Sequence, residues 1–350
     1  MGSFIRIRKN KIGSNQPVYI IAELSANHNQ DYNQAVELIK AAKDVGADAV
    51  KIQTYTPDTI TIDCQTEYFH IWKGTLWEGK NLYDLYGEAF TPWEWQPKLK
   101  QIAESLGLDL FSTPFDETAV RFLEDMNVPA YKIASFEIVD LPLIQEVARC
   151  NKPVIMSTGM ASYDEICDAV SAVREEGNDQ IALLKCTSAY PAPAREANLL
   201  TIRDLHEKFD VPVGLSDHTL GTGVPVTAVA LGASIIEKHF TLSRAIPGPD
   251  SAFSLEPAEF RQMVDAIREA ESAVGTVTYE VTDQEKASRV FRRSLFVVKD
   301  MQTGEQFTRE NIRSIRPGYG LPPKYLGEII GRKAKQVLKR GTPLSWDHIE

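Results

Sequence analysis

Residues 234–242, SIIEKHFTL, pass directly from apolar side chains to three ionisable ones. If this segment is a β-strand, Glu237 and His239 share one face, because side chains alternate along a strand. An earlier apolar run ends in a similar way, at Ser216 and His218. Two imidazoles that converge near carboxylates favour a divalent transition metal such as Mn²⁺, with water completing its coordination. The spacing therefore predicts a metal site at His218 and His239.

Lysines, hydroxyls and a glutamate end the other strand-like runs of the sequence. They are Glu23, Lys51, Thr113, Lys132, Ser135 and Ser157. Hydroxyl donors beside a cation suit a phosphate or a carboxylate group. The sequence has no Walker-type GxxxxGK[ST] segment, which argues against a nucleoside triphosphate. Any one of these residues, taken alone, is about as often a solvated surface residue as a functional one. Polar ends on all eight runs together indicate a single site. The residue types at that site suit an anionic, phosphorylated small molecule.

Eight strand-like runs, each followed by a stretch with helical periodicity, must position these side chains. Parallel strands joined by helices close into a (β/α)₈ barrel, whose active site forms at the C-terminal ends of the strands. An open doubly wound sheet is the alternative, but the turn after the first strand, ELSANHNQ, has no glycine. The predicted strands are residues 18–23, 48–54, 108–114, 130–135, 152–159, 181–187, 211–218 and 233–239, and clear helical patterns cover 118–125, 141–149 and 163–176.

Two segments interrupt this alternation. Residues 55–90 form a long insertion rich in tryptophan and tyrosine, on the face where barrel active sites lie. The insertion is interpreted as a lid or binding loop, or as an aromatic plug packed over the barrel. After Val274 the chain becomes polar, and the last segment has short strand patterns and glycine turns. The sequence predicts a barrel domain at 1–278, a linker at 279–290 and a small domain at 291–350. Because roughly 60 residues are marginal for independent stability, we expect the small domain to dock on another surface.

The composition excludes several classes of partner. The 350 residues are 43% hydrophobic and 25% charged, with a formal net charge of −10, which argues against nucleic acid or an anionic membrane surface as the main partner. The four cysteines form no CxxC pair, so reduced thiols in the cytoplasm are expected rather than structural zinc. We find neither a signal-peptide pattern nor an apolar stretch long enough for a membrane span. We therefore expect a cytoplasmic enzyme.

Ordered blocks along nearly the whole chain resemble the sialic acid synthase (N-acetylneuraminate synthase) family. They include IIAELSANHNQ, FSTPFDETAV, YKIASFEI, LLKCTSAYPAP, GLSDHTLG and IIEKHFTL. The C-terminal blocks FRRSLFVVKDMQTGE and RSIRPGYGLPP resemble the antifreeze-like (SAF) domain of that family. The resemblance implies a (β/α)₈ TIM barrel followed by a small SAF domain of the β-clip type.

The resemblance also implies a reaction. The family condenses phosphoenolpyruvate with an N-acetylated amino sugar to give a nine-carbon 2-keto sugar acid and phosphate, and requires Mn²⁺, Mg²⁺ or another divalent ion. The sialic acid branch typically has AEIG-NHNG and GSGE where this chain has AELSANHNQ and ASFE. The blocks are more similar to a branch whose sugar is 2,4-diacetamido-2,4,6-trideoxy-L-altrose. Alternatives are a sister synthase for the legionaminic or sialic acid precursor, a non-catalytic sugar-binding protein, and a class II-type aldolase using pyruvate.

Matching blocks carry the functional residues of the family onto this chain. His218 and His239 resemble the metal ligands, and Glu23 would hold a metal-bound water or act as a base. Arg316 resembles the arginine that a SAF domain contributes to the active site of the other subunit, which implies a domain-swapped homodimer; the alternative is a surface turn arginine before Pro317. The catalytic set is Glu23, Lys51, Glu237, His218, His239 and Arg316. The substrate set is Thr113, Lys132, Ser135, Ser157 and Ser216 for phosphoenolpyruvate, with Glu137, Tyr190 and Asp250 for the sugar.

Overall fold

The structure, a computed structural model, describes residues 3–72, 74 and 76–350. It divides into two compact units, residues 1–275 and 276–350. The domain bounds derived from the sequence, with a linker at 279–290, stay a prediction.

An N-terminal hairpin opens the first unit. Strand β1 (Phe4–Ile7) pairs antiparallel with β2 (Asn10–Gly13). Ile5, Ile7 and Ile12 alternate with polar residues and are buried against the main core. The sequence analysis did not predict this hairpin, because each strand is only four residues long.

Eight parallel strands follow and close into a barrel. They are β3 (Tyr19–Glu23), β4 (Ala49–Thr54), β5 (Asp109–Pro114), β6 (Tyr131–Ile133), β7 (Val154–Ser157), β8 (Ile181–Cys186), β9 (Val213–Asp217) and β10 (Ile235–His239). Strand β10 pairs with both β9 and β3, which closes the ring. Nearly all their residues are buried, as expected for parallel strands with both faces covered. The predicted (β/α)₈ barrel is confirmed.

Helices alternate with these strands and cover the barrel. Helix α7 begins at a capping box in which Ser162 and Glu165 exchange side-chain and backbone hydrogen bonds of 3.3 and 2.7 Å. None of the helices in the described part of the chain is long and apolar enough to span a bilayer. The helices of this unit are α1 (Tyr32–Asp44), α2 (Pro57–Ile60), α3 (Leu82–Ala89), α4 (Gln96–Ser105), α5 (Glu117–Asp125), α6 (Leu141–Arg149), α7 (Tyr163–Glu175), α8 (Thr201–Phe209), α9 (Gly223–Ala230) and α10 (Pro257–Val274).

The insertion after β4 contains α2 and α3, and two of its residues, Lys73 and Thr75, lie outside the described residues. At its start, Tyr55 packs edge-on against Tyr86 of α3, with ring centroids 5.7 Å apart. Further along, Trp77 lies 5.7 Å from the ring of Tyr190 and donates from Nε1 to the Pro249 carbonyl at 3.0 Å. The insertion therefore packs as an aromatic plug and also contacts loops at the C-terminal end of the barrel.

The second unit has its own small core. Strands β11 (Ser294–Val297) and β12 (Ile312–Ile315) pair antiparallel, and the helices are α11 (Asp283–Ser288) and α12 (Leu326–Ile329). Helix α11 lies inside the predicted linker. Leu295, Phe307 and Leu344 are among the buried residues of this core. The expectation that this small domain docks on another surface stays a prediction.

Candidate active site

The barrel register brings the polar strand ends to one level. Glu23 at the end of β3 pairs with Lys51 of β4 on one side and with His239 of β10 on the other. In β9 and β10, Ser216 pairs with Glu237. Because all strands are parallel, their C-terminal ends meet at one end of the barrel, where active sites of this fold lie.

Two lysines and two glutamates form a buried charge cluster inside the barrel. Lys51 Nζ lies 2.7 Å from Glu23 Oε2 and 3.6 Å from Glu237 Oε1, and Lys132 Nζ lies 3.1 Å from the same Glu237 oxygen. All four side chains are at most 5% exposed. Charges at such depth are stable only when they are paired. The cluster thus carries two cations and two acidic groups at the level of the strand ends.

The pKa values of this cluster diverge. Burial raises the pKa of the Glu23 carboxyl, and Lys51 only partly offsets it. Burial also acts to raise the pKa of Glu237, but its two lysine neighbours outweigh burial and lower it. At Lys51 the charges of Glu23 and Glu237 outweigh burial, and they raise the pKa of the ammonium. At Lys132 burial dominates and lowers the pKa of the ammonium. Carboxyls with opposite shifts in one site are typical of acid–base chemistry.

Hydroxyl groups line the site beside Lys132. Ser157 Oγ is buried and has no hydrogen-bond partner among the described residues, so it is available to a ligand. Thr113 Oγ1 accepts from Lys51 Nζ at 3.2 Å, and Ser135 Oγ accepts from the Gly159 backbone N–H at 3.1 Å. A Cβ at Gly159 would meet Ser135 Oγ at 2.7 Å, so only glycine lets the backbone approach this closely. Donors in this arrangement suit the oxygens of a phosphate or carboxylate group.

The two histidines have the chemistry of metal ligands. Their ring centroids are 5.4 Å apart. His218 Nδ1 lies 3.0 Å from the Thr187 carbonyl, so this nitrogen carries the proton and Nε2 keeps its lone pair. His239 Nδ1 is buried without a hydrogen-bond partner among the described residues. Burial holds the pKa of His239 well below its usual value, which keeps that ring neutral as a metal ligand must be.

The metal would need oxygen ligands besides these imidazoles. Among the described residues, no group of three or more histidine, cysteine, aspartate and glutamate side chains has the geometry to hold an ion. The residues present fit a divalent ion held by His218 and His239, with substrate or water oxygens at the remaining positions.

The predicted sugar-side residues also lie around this end of the barrel. The Tyr190 ring packs against His218, with centroids 4.4 Å apart and the ring planes tilted by 42°. Glu137 Oε2 is buried without a hydrogen-bond partner among the described residues, and burial raises the pKa of Glu137 to about 7. Asp250 is buried, and its Oδ2 accepts from Ser25 Oγ and from the Ala26 N–H at 3.4 Å.

Two family models match this chain: the NeuB family at residues 38–279 and the SAF domain at residues 292–350. The chain belongs to the NeuB family. The resemblance to the sialic acid synthase family and the predicted C-terminal SAF domain are thereby confirmed.

Relatives of known name extend over nearly the whole NeuB-family chain. A pseudaminic acid synthase from Helicobacter pylori is 50% identical over 336 residues, which are 96% of this chain and 98% of that protein. An N,N'-diacetyllegionaminic acid synthase from Legionella pneumophila is 39% identical and covers 97% of this chain and 96% of its own. A solved N-acetylneuraminic acid (sialic acid) synthetase from Leptospira borgpetersenii, in complex with citrate, is 34% identical, with a TM-score of 0.73 over 82% of this chain and 95% of that one.

The structure brings most of the predicted residues together, but Arg316 is a separate case. It follows β12 in the C-terminal unit of this NeuB-family chain, and its side chain is exposed. Its assignment to an active site therefore stays a prediction.

Three residues that the predicted set omits belong to the site. Gln53 Nε2 donates to Glu23 Oε1 at 3.1 Å and to Ser25 Oγ at 3.0 Å. Cys186 Sγ lies 3.8 Å from His218 Nδ1. Gln53 could have been found, because it is two residues beyond Lys51 on β4 and so shares its face. Nothing in the sequence pattern marks Ser25 as a site residue, because its contacts depend on the conformation of the loop after β3.

Proposed function

We propose that this protein condenses phosphoenolpyruvate with 2,4-diacetamido-2,4,6-trideoxy-L-altrose and water to form pseudaminic acid and phosphate. The observation that carries the choice of sugar is the 50% identity, over 96% of the chain, to a pseudaminic acid synthase. The buried lysine, hydroxyl and carboxyl groups of the barrel end supply the chemistry that this condensation needs. The relative that makes a legionaminic acid, at 39% identity, defines the main alternative.

Phosphoenolpyruvate would bind at the hydroxyl side of the site. The ammonium of Lys132 and the unpartnered Ser157 hydroxyl belong to the neighbouring strands β6 and β7, and both suit an anionic oxygen. The proposed binding set is Thr113, Lys132, Ser135, Ser157 and Ser216. Binding there would place the anion close to the Lys51 ammonium, whose positive charge Glu23 and Glu237 stabilise.

The reaction begins when C3 of phosphoenolpyruvate attacks the aldehyde carbon of the open-chain sugar. The electron pair of the C2–C3 double bond forms the new carbon–carbon bond, and the aldehyde oxygen takes up a proton. Water then adds at C2 and loses a proton. The tetrahedral intermediate expels phosphate by cleavage of its C2–O bond, and the remaining C2 hydroxyl loses its proton to give the ketone.

Glu23 and Lys51 are placed to move these protons. Their charged groups are 2.7 Å apart, and burial raises the pKa of Glu23, so its carboxyl holds a proton more readily than a solvated carboxyl does. Glu137, Tyr190 and Asp250 would hold the sugar from the opposite side. A divalent ion such as Mn²⁺ or Mg²⁺, when held by His218 and His239, would supply Lewis-acid polarisation of the aldehyde.

The test is phosphate release from phosphoenolpyruvate with three sugars offered in parallel. They are the altro-configured diacetamido trideoxy sugar, its manno-configured legionaminic counterpart and N-acetylmannosamine, each with Mn²⁺ and with a chelator control. We expect chelator-sensitive release with the altro sugar alone. Release only with another sugar would overturn the choice of substrate, and formation of the sugar acid from pyruvate, without phosphoenolpyruvate and without phosphate release, would overturn the reaction.

We also propose that the protein works as a domain-swapped homodimer, in which Arg316 completes the site of the other subunit. The loops at the C-terminal end of the barrel carry exposed apolar side chains, a kind of surface that marks interfaces. In the second unit, Phe291 and Tyr319 near Arg316 are exposed as well. The exposed apolar residues of the barrel loops include Trp72, Phe136, Met160, Leu200, Leu220 and Ile246.

Mixing two inactive variants tests the swap. Arg316→Ala and His239→Ala homodimers should each be inactive, whereas a heterodimer would rebuild one intact site and recover partial activity. Heterodimers isolated with two affinity tags would show whether this occurs. Inactivity of verified heterodimers would count against the exchange of domains.

A further inference from the structure

Ser25 has a backbone conformation that serine rarely adopts. It directly follows the last apolar residue after β3, and its φ of 42° lies in the left-handed region. A non-glycine residue in this sparsely populated region is strained, and such residues cluster at functional sites. Ser25 is 4% exposed, so its side chain points into the protein and not into solvent. The surrounding contacts must hold this conformation in place.

The Ser25 hydroxyl connects two carboxyls of the site. Its Oγ–H donates to Asp250 Oδ2, and the same oxygen accepts from Gln53 Nε2 at 3.0 Å. Gln53 Nε2 also donates to Glu23 Oε1 at 3.1 Å, so both hydrogens of the amide are used. A continuous chain of hydrogen bonds therefore runs from Glu23 through Gln53 and Ser25 to Asp250.

This chain fixes one oxygen of Asp250 and leaves the other available. The Ser25 hydroxyl and the Ala26 N–H, at 3.4 Å, both donate to Oδ2. Within the described part of the chain, Oδ1 accepts no hydrogen bond. A buried carboxylate with one oxygen held and one open is arranged to accept an N–H or O–H group of a ligand.

We propose that Ser25 is a positioning residue for the amino sugar: its hydroxyl holds Asp250 so that Oδ1 accepts an N–H or O–H donor of the sugar. This inference rests on the proposed function. A glycine at position 25 would adopt the same φ without strain, but it would leave Asp250 Oδ2 with only the long contact to Ala26. The strained serine is therefore explained by the bond that it makes.

Ser25→Ala and Ser25→Gly separate the hydroxyl from the backbone conformation. Both remove the hydroxyl, but only glycine relieves the left-handed strain. With the sugar that the wild-type enzyme uses, we expect KM for the sugar to rise roughly tenfold in both variants, the size expected for losing a hydrogen bond to a charged group. KM for phosphoenolpyruvate should stay within about twofold in both, because its binding groups lie elsewhere, and Ser25→Gly should unfold at a temperature no lower than Ser25→Ala.

Asn127→Gly is the matched control. Asn127 also has a left-handed φ, 51°, but it is exposed and follows α5, away from the strand ends. This variant should keep both KM values while it reports the effect of glycine at a left-handed position on the melting temperature.

Three results would overturn the inference. They are an unchanged KM for the sugar in both Ser25 variants, a change in Ser25→Gly without one in Ser25→Ala, and parallel losses of affinity for sugar and phosphoenolpyruvate with a lower melting temperature. Wild-type enzyme that releases phosphate with none of the three sugars would overturn the proposed function, and this inference with it. Active wild-type enzyme with unchanged variants would overturn this inference alone.

Discussion

A buried ion pair behind the two candidate metal histidines gives a quantitative test of how the site is held. Lys238 Nζ lies 2.5 Å from Asp217 Oδ2, and both side chains are at most 1% exposed. Asp217 directly precedes His218, and Lys238 directly precedes His239. Because side chains alternate along a strand, the pair lies on the face of β9 and β10 that points away from the histidines. The pair therefore connects the two strands at the level of the proposed metal ligands.

Removing either partner alone should be costly. Asp217→Asn leaves the Lys238 ammonium with the Thr219 carbonyl as its remaining acceptor, and Lys238→Met leaves the Asp217 carboxylate with the Thr219 N–H at 2.9 Å. An uncompensated buried charge typically lowers the free energy of unfolding by about 3–5 kcal/mol. The double variant contains no charge at this place, so it should lose clearly less than the sum of the two single variants, with a coupling of about 2 kcal/mol or more.

Urea unfolding followed by circular dichroism measures these differences. Glu117→Gln is the control, because Glu117 pairs with Arg121 at 2.9 Å on the surface, where the side chains are 63% and 67% exposed. Its effect should be below about 1 kcal/mol. Turnover should fall in both buried single variants, because the histidines next to them lose their support. Single variants that lose less than about 1 kcal/mol, or losses that simply add in the double variant, would refute the reasoning.

Three further predictions follow from the site. Burial makes ionisation of Glu137 unfavourable in the folded state, so the stability of Glu137→Gln relative to the wild type should rise, by no more than about 3 kcal/mol, as pH rises from 4.5 through about 7. Urea unfolding at pH 4 and pH 8 measures this difference in the free energy of unfolding. An equal difference at both pH values would contradict the prediction. Gly159→Ala should raise KM for phosphoenolpyruvate more than KM for the sugar, because the added Cβ would collide with the hydroxyls of Ser188 and Ser135 and displace the latter from its binding position; equal changes in steady-state kinetics would argue against that placement. His218→Ala and His239→Ala should each abolish turnover and also Mn²⁺ binding, measured by calorimetry, while the circular dichroism spectrum stays that of the wild type. A double variant with wild-type activity would refute the metal assignment.

The barrel could be predicted from the sequence because its parallel strands are buried on both faces. This burial makes each strand an almost continuous apolar run, and the change to polar residues marks its end. Helix α6 begins and ends where the periodicity predicts, at Leu141 and Arg149. The strands were predicted slightly too long, since apolar residues also continue into the adjoining loops. Strand β6 shows this: the pattern extends to Ser135, but pairing stops at Ile133.

The convergence of the charged residues was also predictable, because it depends only on strand order and direction. Lys51 and Lys132 end strands that are distant in sequence, and the closed barrel brings both to Glu237. The hydrogen-bond chain through Ser25 was not predictable. It requires a left-handed φ at a residue whose type gives no hint of it, and it connects β3 to a loop more than 200 residues later in the chain.

The electrostatics of the site follow from burial and explain why it suits an anion. With Glu23 and Glu237 both ionised, the cluster with Lys51 and Lys132 would be neutral. Burial raises the pKa of Glu23, so uptake of one proton by this carboxyl leaves the cluster with a net positive charge. A bound phosphate or carboxylate would be stabilised by that charge, and its own negative charge would in turn favour the protonated form of Glu23. Binding of an anionic substrate would therefore favour a proton on Glu23, a carboxyl that contacts both Lys51 and the hydrogen-bond chain to Asp250.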